Sequence, residues 1–269
     1  MRWLIPLLLL ATLPATAQDR RASHCIALVE NVPDLEVVPA SFREPVAQDS
    51  VRLSYIDHSM VLIQAEDGTA AVTDYNGYLG PADFTPDVVT MNNAHSTHWT
   101  ALPDPEIPHV LEGWGTEANP QEHWLDLGSM VVRNVHTDTR SGFGEGRRNG
   151  NSIFVFEVAG LCIGHLGHLH HVPDPRQFAA IGRLDVVMAP VDGGLTLTRP
   201  ELIETLQRFD SSVVIPIHAF GAGNLVRFLE EMSGDFAVEM VEGPSIEVSL
   251  RTLPDRPTIM VLPPRFLSD

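Results

Sequence analysis

The chain of 269 residues holds only two cysteines, Cys25 and Cys162. A cysteine-based zinc cage is therefore excluded, and any metal must be held by histidine, carboxylate or weaker oxygen donors. Aromatic residues make up 7% of the chain, so aliphatic side chains must build most of the core. Positive charge is scarce: 17 Lys and Arg stand against 35 Asp and Glu, for a net charge of −18. Such a surface repels phosphate backbones and speaks against a nucleic-acid partner. Beyond the first residues, no apolar run is long enough to cross a bilayer. Glycine and proline are not scarce, at 20 and 21, and suggest many turns between short elements rather than a helical bundle.

The start of the chain has the order of a secretory signal. Arg2 gives a positive opening, Leu4 to Leu13 is mostly apolar, and Ala15-Thr16-Ala17 offers a small-residue cleavage site. We read residues 1–17 as a signal peptide and 18–269 as one domain, periplasmic or secreted, without a membrane anchor after cleavage. In an oxidising compartment Cys25 and Cys162 could pair, tying an N-terminal arm to an interior strand. The alternative of two free thiols stays open at this point, because sequence does not give their separation.

From Val51 the pattern is that of a sheet. Val51, Leu53 and Tyr55 alternate with polar residues, and Asp67-Gly68 marks a hairpin between apolar runs at 59–64 and 70–73. Val88 to Met91 reads as a buried strand that ends in a histidine-bearing segment. Residues 103–120 are proline-rich and read as irregular, and 139–151 as a loop rich in glycine and arginine. Its Arg140, Arg147 and Arg148 fit a solvated loop better than a substrate clamp. Residues 152–158 alternate strictly, with Ile153, Val155 and Glu157 on one face and Phe154, Phe156 and Val158 on the other. Helices are predicted at 174–181, at 200–209 behind a proline, and at 224–232; strands are predicted at 161–164, 185–190 and 213–217. This order fits a layered α/β sandwich.

Twelve histidines are many for this length, and their positions matter more than their number. His95 and His98 follow one apolar strand, His165, His168, His170 and His171 a second, and His218 closes a third. Three buried strands ending in imidazole at one edge would make a metal site. His170 and His171 read as surface loop residues, and His24, His109 and His123 have no pattern.

The order of segments resembles the metallo-β-lactamase superfamily, in particular its ascorbate-6-phosphate lactonase-like branch, from about Val51 to Met232. Asp57-His58-Ser59 stands where that branch has Gly-His-(Ala/Ser). Asp74 stands for the acid of Ile-Asp-Pro. Asn93-Ala94-His95-Ser96-Thr97-His98 stands for His-x-His-x-Asp-His, with Asn93 and Thr97 replacing ligands. His136 occupies the place of a further ligand. In His165-Leu166-Gly167-His168, His168 replaces a bridging Asp. Pro216-Ile217-His218-Ala219-Phe220-Gly221 matches the last ligand segment.

The resemblance implies a four-layer αββα sandwich (class α/β, or α+β) and a metal-dependent hydrolase. A neutral imidazole cannot offset the repulsion of two cations as a bridging carboxylate does, so one ion is expected: zinc, with iron or manganese as alternatives. Either His95, His136 and His168, or His98, His168 and His218, would hold it with an open fourth position. Asp74 is the expected partner of a ligand histidine, with His58, Asn93, Thr97 and His165 lining the pocket. Metal-bound hydroxide would attack a small ester, lactone or phosphodiester-like substrate, with His98 and His168 as the catalytic candidates. The alternatives are a non-catalytic metal- or ligand-binding descendant of the fold and a purely structural protein. Oligomeric state is not legible.

Overall fold

The computed structural model describes residues 21, 23–26, 41–116, 118–141 and 144–269. The signal-peptide reading of 1–17 falls outside them. Among the described residues two sheets face each other. The first has six strands, in the order β13-β1-β2-β3-β4-β5: β1 (Val51–Asp57), β2 (Met60–Ala65), β3 (Ala70–Val72), β4 (Val88–Met91), β5 (His109–Glu112) and β13 (Ser245–Val248). The second has eight, in the order β12-β14-β11-β10-β9-β8-β7-β6. These are β6 (Trp124–Asp126), β7 (Met130–Ser141), β8 (Gly144–Val158), β9 (Leu161–His165), β10 (Val186–Pro190), β11 (Val213–Ile217), β12 (Ala237–Met240) and β14 (Thr258–Val261).

Strand alternation divides the core in two. Phe154 and Phe156 of β8 point between the sheets, where they meet Leu53, Val61, Ile63 and Ile246 of the first sheet. Ile153 and Val155 point outward. There they pack under α1 (Pro175–Ile181), α2 (Arg199–Phe209) and α3 (Ala222–Met232), which insert Ile181, Leu202, Leu206, Phe228 and Met232. Full burial of each such side chain is worth roughly 1.5–3 kcal/mol. Helix α1 starts in the capping box of Asp174 and Gln177, and α2 in that of Thr198 and Glu201. The result is the α/β sandwich of the metallo-β-lactamase type. Among the described residues all three α-helices cover the second sheet. The outer face of the first sheet, with Ile56, Leu62, Val72 and Val89, is covered by irregular chain carrying Phe42, Leu79, Phe84 and Trp99.

Two local expectations are corrected. Residues 139–141 and 144–151 are not loop: they extend strands β7 and β8, with Thr139 opposite Arg147 and Thr137 opposite Asn151. Arg140 donates to the Thr196 carbonyl and Arg147 to that of Gly115 at 2.8 Å. The proline-rich 103–120 segment also contains β5, whose pairing with β4 supplies the ladder that local propensity does not.

Cys25 and Cys162 form a disulfide, with their Cα atoms 5.7 Å apart. The bond holds the N-terminal arm on the helical side of β9. Beside it, buried Glu157 accepts from Arg133 Nε at 2.7 Å and from Ser23 Oγ at 2.5 Å. Arg133 also donates to the Ala180 and Ile181 carbonyls at the end of α1.

Candidate metal centre

Strands β9, β10 and β11 run parallel, so their C-terminal ends share one edge. So do those of β3 and β4 in the facing sheet. Asp74 follows β3, Asn92 to His98 follow β4, His165 ends β9, Asp192 follows β10 and His218 follows β11. Ligands collect at such strand ends because the chain leaves the sheet there and its side chains are no longer bound by the pleat. His58 comes from the tight β1–β2 turn. His58, Asp74 and His218 all have left-handed φ, at 47°, 43° and 56°. Non-glycine residues in this region store of order 1 kcal/mol or more each, and such strain concentrates at functional sites.

Two carboxylate–imidazole pairs form the heart of the site. His98 Nδ1 lies 2.5 Å from Asp74 Oδ2, and both side chains are fully buried. His218 Nδ1 lies 2.8 Å from Asp192 Oδ2. A carboxylate can only accept, so both Nδ1 atoms carry a proton, and in a neutral ring that leaves the Nε2 lone pair free. Those two Nε2 atoms are 3.2 Å apart. His168 Nδ1 stands 3.1 Å from His98 Nε2. Nitrogens bound to one tetrahedral zinc at about 2.0–2.1 Å stand about 3.3 Å apart, so these separations fit a shared cation.

The carboxylates are firmly held. Burial alone would raise the Asp74 carboxyl, but the imidazoles of His98 and His165 hold it below the usual carboxylate range. Burial works the same way on Asp192, and His218 with the Thr196 hydroxyl overcomes it. Asp192 also accepts the backbone N–H groups of Gly194, Leu195 and Thr196 at 2.7–3.0 Å. Burial, and then the neighbouring His98, pushes His168 down to about 2, so it is a neutral donor at pH 7.

The structure sorts the remaining residues. Exposed His95 stacks on His168 with ring centroids 5.3 Å apart and bonds Thr97 Oγ1 at 3.3 Å. Asn93 forms a backbone bridge with Asn151. His165 is buried with both ring nitrogens occupied: Nε2 donates to the Ser59 carbonyl at 2.9 Å and Nδ1 accepts from Asn92 at 3.0 Å. It is thereby a framework residue. His136 is not brought to the cluster. It lines a separate cavity of about 360 Å³ with Glu122, His123 and Trp124, and its Nδ1 meets Ser152 Oγ at 3.3 Å. Of the two sequence triplets, His98, His168 and His218 are the neighbours, joined through His98 Nε2, while the ligand nitrogens that all lie within 4.8 Å of one another are those of His58, His98 and His218.

Four participants were missed. Asp192 could have been found as the acid closing a buried strand in Val-Asp-Gly-Gly. Asn92 ties β4 to β8 and β9 through the Ser152 carbonyl and His165. A Cβ on Gly167, at φ +58°, would run into the Asn92 side chain, so this turn into His168 requires glycine. His170, expected at the surface, is buried: its ring lies 4.7 Å from His168 and its Nδ1 accepts from the Arg140 N–H at 2.5 Å. Half-exposed Phe220 packs edge-on against His218 and His58.

A family model described as the beta-lactamase superfamily domain matches residues 52–218. A metal-dependent hydrolase of Thermoplasma acidophilum is 25% identical over 163 residues, 55% of this chain and 71% of that protein. One from Salinibacter ruber is 23% identical over 188 residues, 62% of this chain and 83% of the relative. Among solved structures, a protein from Thermotoga maritima bears the name of a Zn-dependent hydrolase of the metallo-beta-lactamase superfamily. It superposes with a TM-score of 0.57 at 25% identity, covering 79% of this chain and 98% of its own.

Proposed function

The chain belongs to the beta-lactamase superfamily domain family, and from that membership we propose that it is an exported metal-dependent hydrolase with one divalent cation held by His98, His168 and His218. One observation carries this reading. Two fully or nearly buried imidazoles, each locked at Nδ1 by an aspartate, turn their Nε2 atoms toward each other at 3.2 Å. Two lone pairs repel at that distance unless a cation lies between them, and the third nitrogen of His168 calls for an ion that accepts several donors. The charges also balance, since two buried carboxylates behind three neutral imidazoles offset a dication.

An all-imidazole donor set suits zinc, with iron or manganese as alternatives, over magnesium or calcium. A divalent cation held there would supply Lewis acidity and bring the pKa of a coordinated water to roughly 7. The protein's own part is to hold the donors and admit the substrate. Asp74 and Asp192 fix tautomer and ring orientation, and Asn92 and Gly167 hold the turn that presents His168. His95, His58 and Phe220 form the open side, where a small ester, lactone or phosphodiester would lie. The leader-like N-terminus and the Cys25–Cys162 bond support an oxidising, extracytoplasmic setting.

Tag-free protein is expected to carry about one equivalent of zinc, iron or manganese per chain. Chelation should abolish turnover in an ester, lactone and phosphodiester screen, and the metal should restore it. A chain that takes up no metal after supplementation overturns the reading. Thr97, which bonds His95 where the family has an acid, favours a second reading: a metal-binding protein without turnover. One equivalent of metal with no hydrolysis across the screen would select it.

A further inference from the structure

We propose that His58 is a fourth ligand of the centre, one that closes the cation's open position at rest and gives way when substrate enters. The proposal rests on the reading of His98, His168 and His218 as a metal site. It starts from a nitrogen without a partner. His58 Nε2 is buried and makes no hydrogen bond, an arrangement that is unfavourable for a polar atom unless something else satisfies it. A framework histidine satisfies both ring nitrogens, as His165 does. His58 instead turns its ring to the two bare Nε2 atoms. Its centroid lies 4.1 Å from that of His218 and 5.2 Å from that of His98. The ligand-capable nitrogens of His58, His98 and His218 all lie within 4.8 Å of one another.

The backbone has been bent to place it there. His58 takes left-handed φ, and its carbonyl accepts both the Tyr55 hydroxyl, at 2.7 Å, and the His218 N–H, at 2.8 Å. The β1–β2 turn is thus pinned to the strand end that carries the ligand His218. In a tetrahedron each edge has two further vertices. His58 and His168 both flank the His98–His218 edge: His168 has its centroid 4.7 Å from that of His98 and 5.5 Å from that of His218. His58 thus closes a group with His98 and His218, which His168 joins through its Nδ1 beside His98 Nε2.

The four are not equivalent. His98 and His218 are anchored by carboxylates and His168 is packed between His95 and His170. His58 has no carboxylate behind it and lies against half-exposed Phe220. It is the ligand least held by the protein and the one nearest solvent, so its place is where a substrate oxygen would enter.

The test uses the metal-free full chain loaded with cobalt(II), comparing the parent with His58→Asn. Asparagine accepts left-handed φ, so the turn is kept while the side chain no longer reaches. The parent should bind one cobalt with the visible spectrum of a four-nitrogen site. The variant should bind one cobalt at least about tenfold more weakly with an altered spectrum. Added imidazole should restore the parental spectrum in the variant, an effect that a folding defect would not show. Identical affinity and spectrum in the two proteins would overturn the proposal, as would an altered spectrum that imidazole leaves unrestored. A parent that binds no cobalt would instead remove the metal reading itself.

Discussion

Asp74→Asn tests the tautomer argument without touching a ligand. Asp74 is fully buried and answers two donors: its Oδ2 takes the Nδ1 proton of His98 at 2.5 Å, and its Oδ1 takes the backbone N–H of Asn92 at 2.8 Å. The replacement amide has the same shape and accepts the left-handed φ of 43°. It has one acceptor oxygen for two donors. The backbone N–H of Asn92 cannot relocate its proton, but an imidazole can. The amide oxygen is therefore expected to face Asn92 and the amide NH2 to face His98. That moves the His98 proton to Nε2 and removes the lone pair that the site needs. Loss of an outer partner of a ligand histidine commonly costs 10–100-fold in metal affinity. Because the ligand itself is protonated here, the upper end applies, about 100-fold or about 2.8 kcal/mol at 1.4 kcal/mol per decade. Competition against a chelator of known affinity measures it. The rise in melting temperature on adding excess metal should also shrink in the variant. A folded variant that binds metal within about threefold of the parent would refute the assignment of the Nε2 lone pair, since the dyad effect starts near tenfold.

Other consequences can be checked independently. His218→Asn should abolish stoichiometric metal, while His136→Ala should leave it unchanged; elemental analysis showing the reverse would restore the other triplet. Reducing the Cys25–Cys162 bond, or replacing both residues by serine, opens a link between positions 137 apart. Chain entropy alone puts its stabilisation near 5 kcal/mol as an upper figure. At roughly 2–4 °C per kcal/mol for a domain of this size, calorimetry should show a fall on the order of 10 °C. A fall of less than one degree would mean that the arm contributes no constraint.

The secondary structure was readable wherever one local rule sufficed. The alternation at 152–158 assigned Phe154 and Phe156 to one face and Ile153 and Val155 to the other, and the sheet keeps that division. The helix expected at 174–181 is α1, and the structure opens it with the capping box of Asp174 and Gln177. Reading failed where pairing decided. Gly144 to Arg148 have poor strand propensity, yet the hairpin with β7 holds them extended. The segment from 109 to 112 becomes a strand because β4 offers it an edge.

The candidate site divides the same way. The sequence by itself determined that histidines stand at the ends of buried strands and that an acid precedes the His95–His98 segment. Those are properties of order and residue type. Tertiary structure alone decided which nitrogens meet. His136 shares the inter-sheet face of β7 with Val132, but β8 separates its strand from β9 and the strand ends beyond it, so its ring meets Ser152 and the cavity beside His123 instead. Packing buried His170 and closed off His165. The fold brought Asp192 behind His218 from 26 residues away. A metal site is a matter of a few tenths of an ångström between side chains from different strands. Only the long-range pairing of those strands sets that separation, which local sequence does not encode.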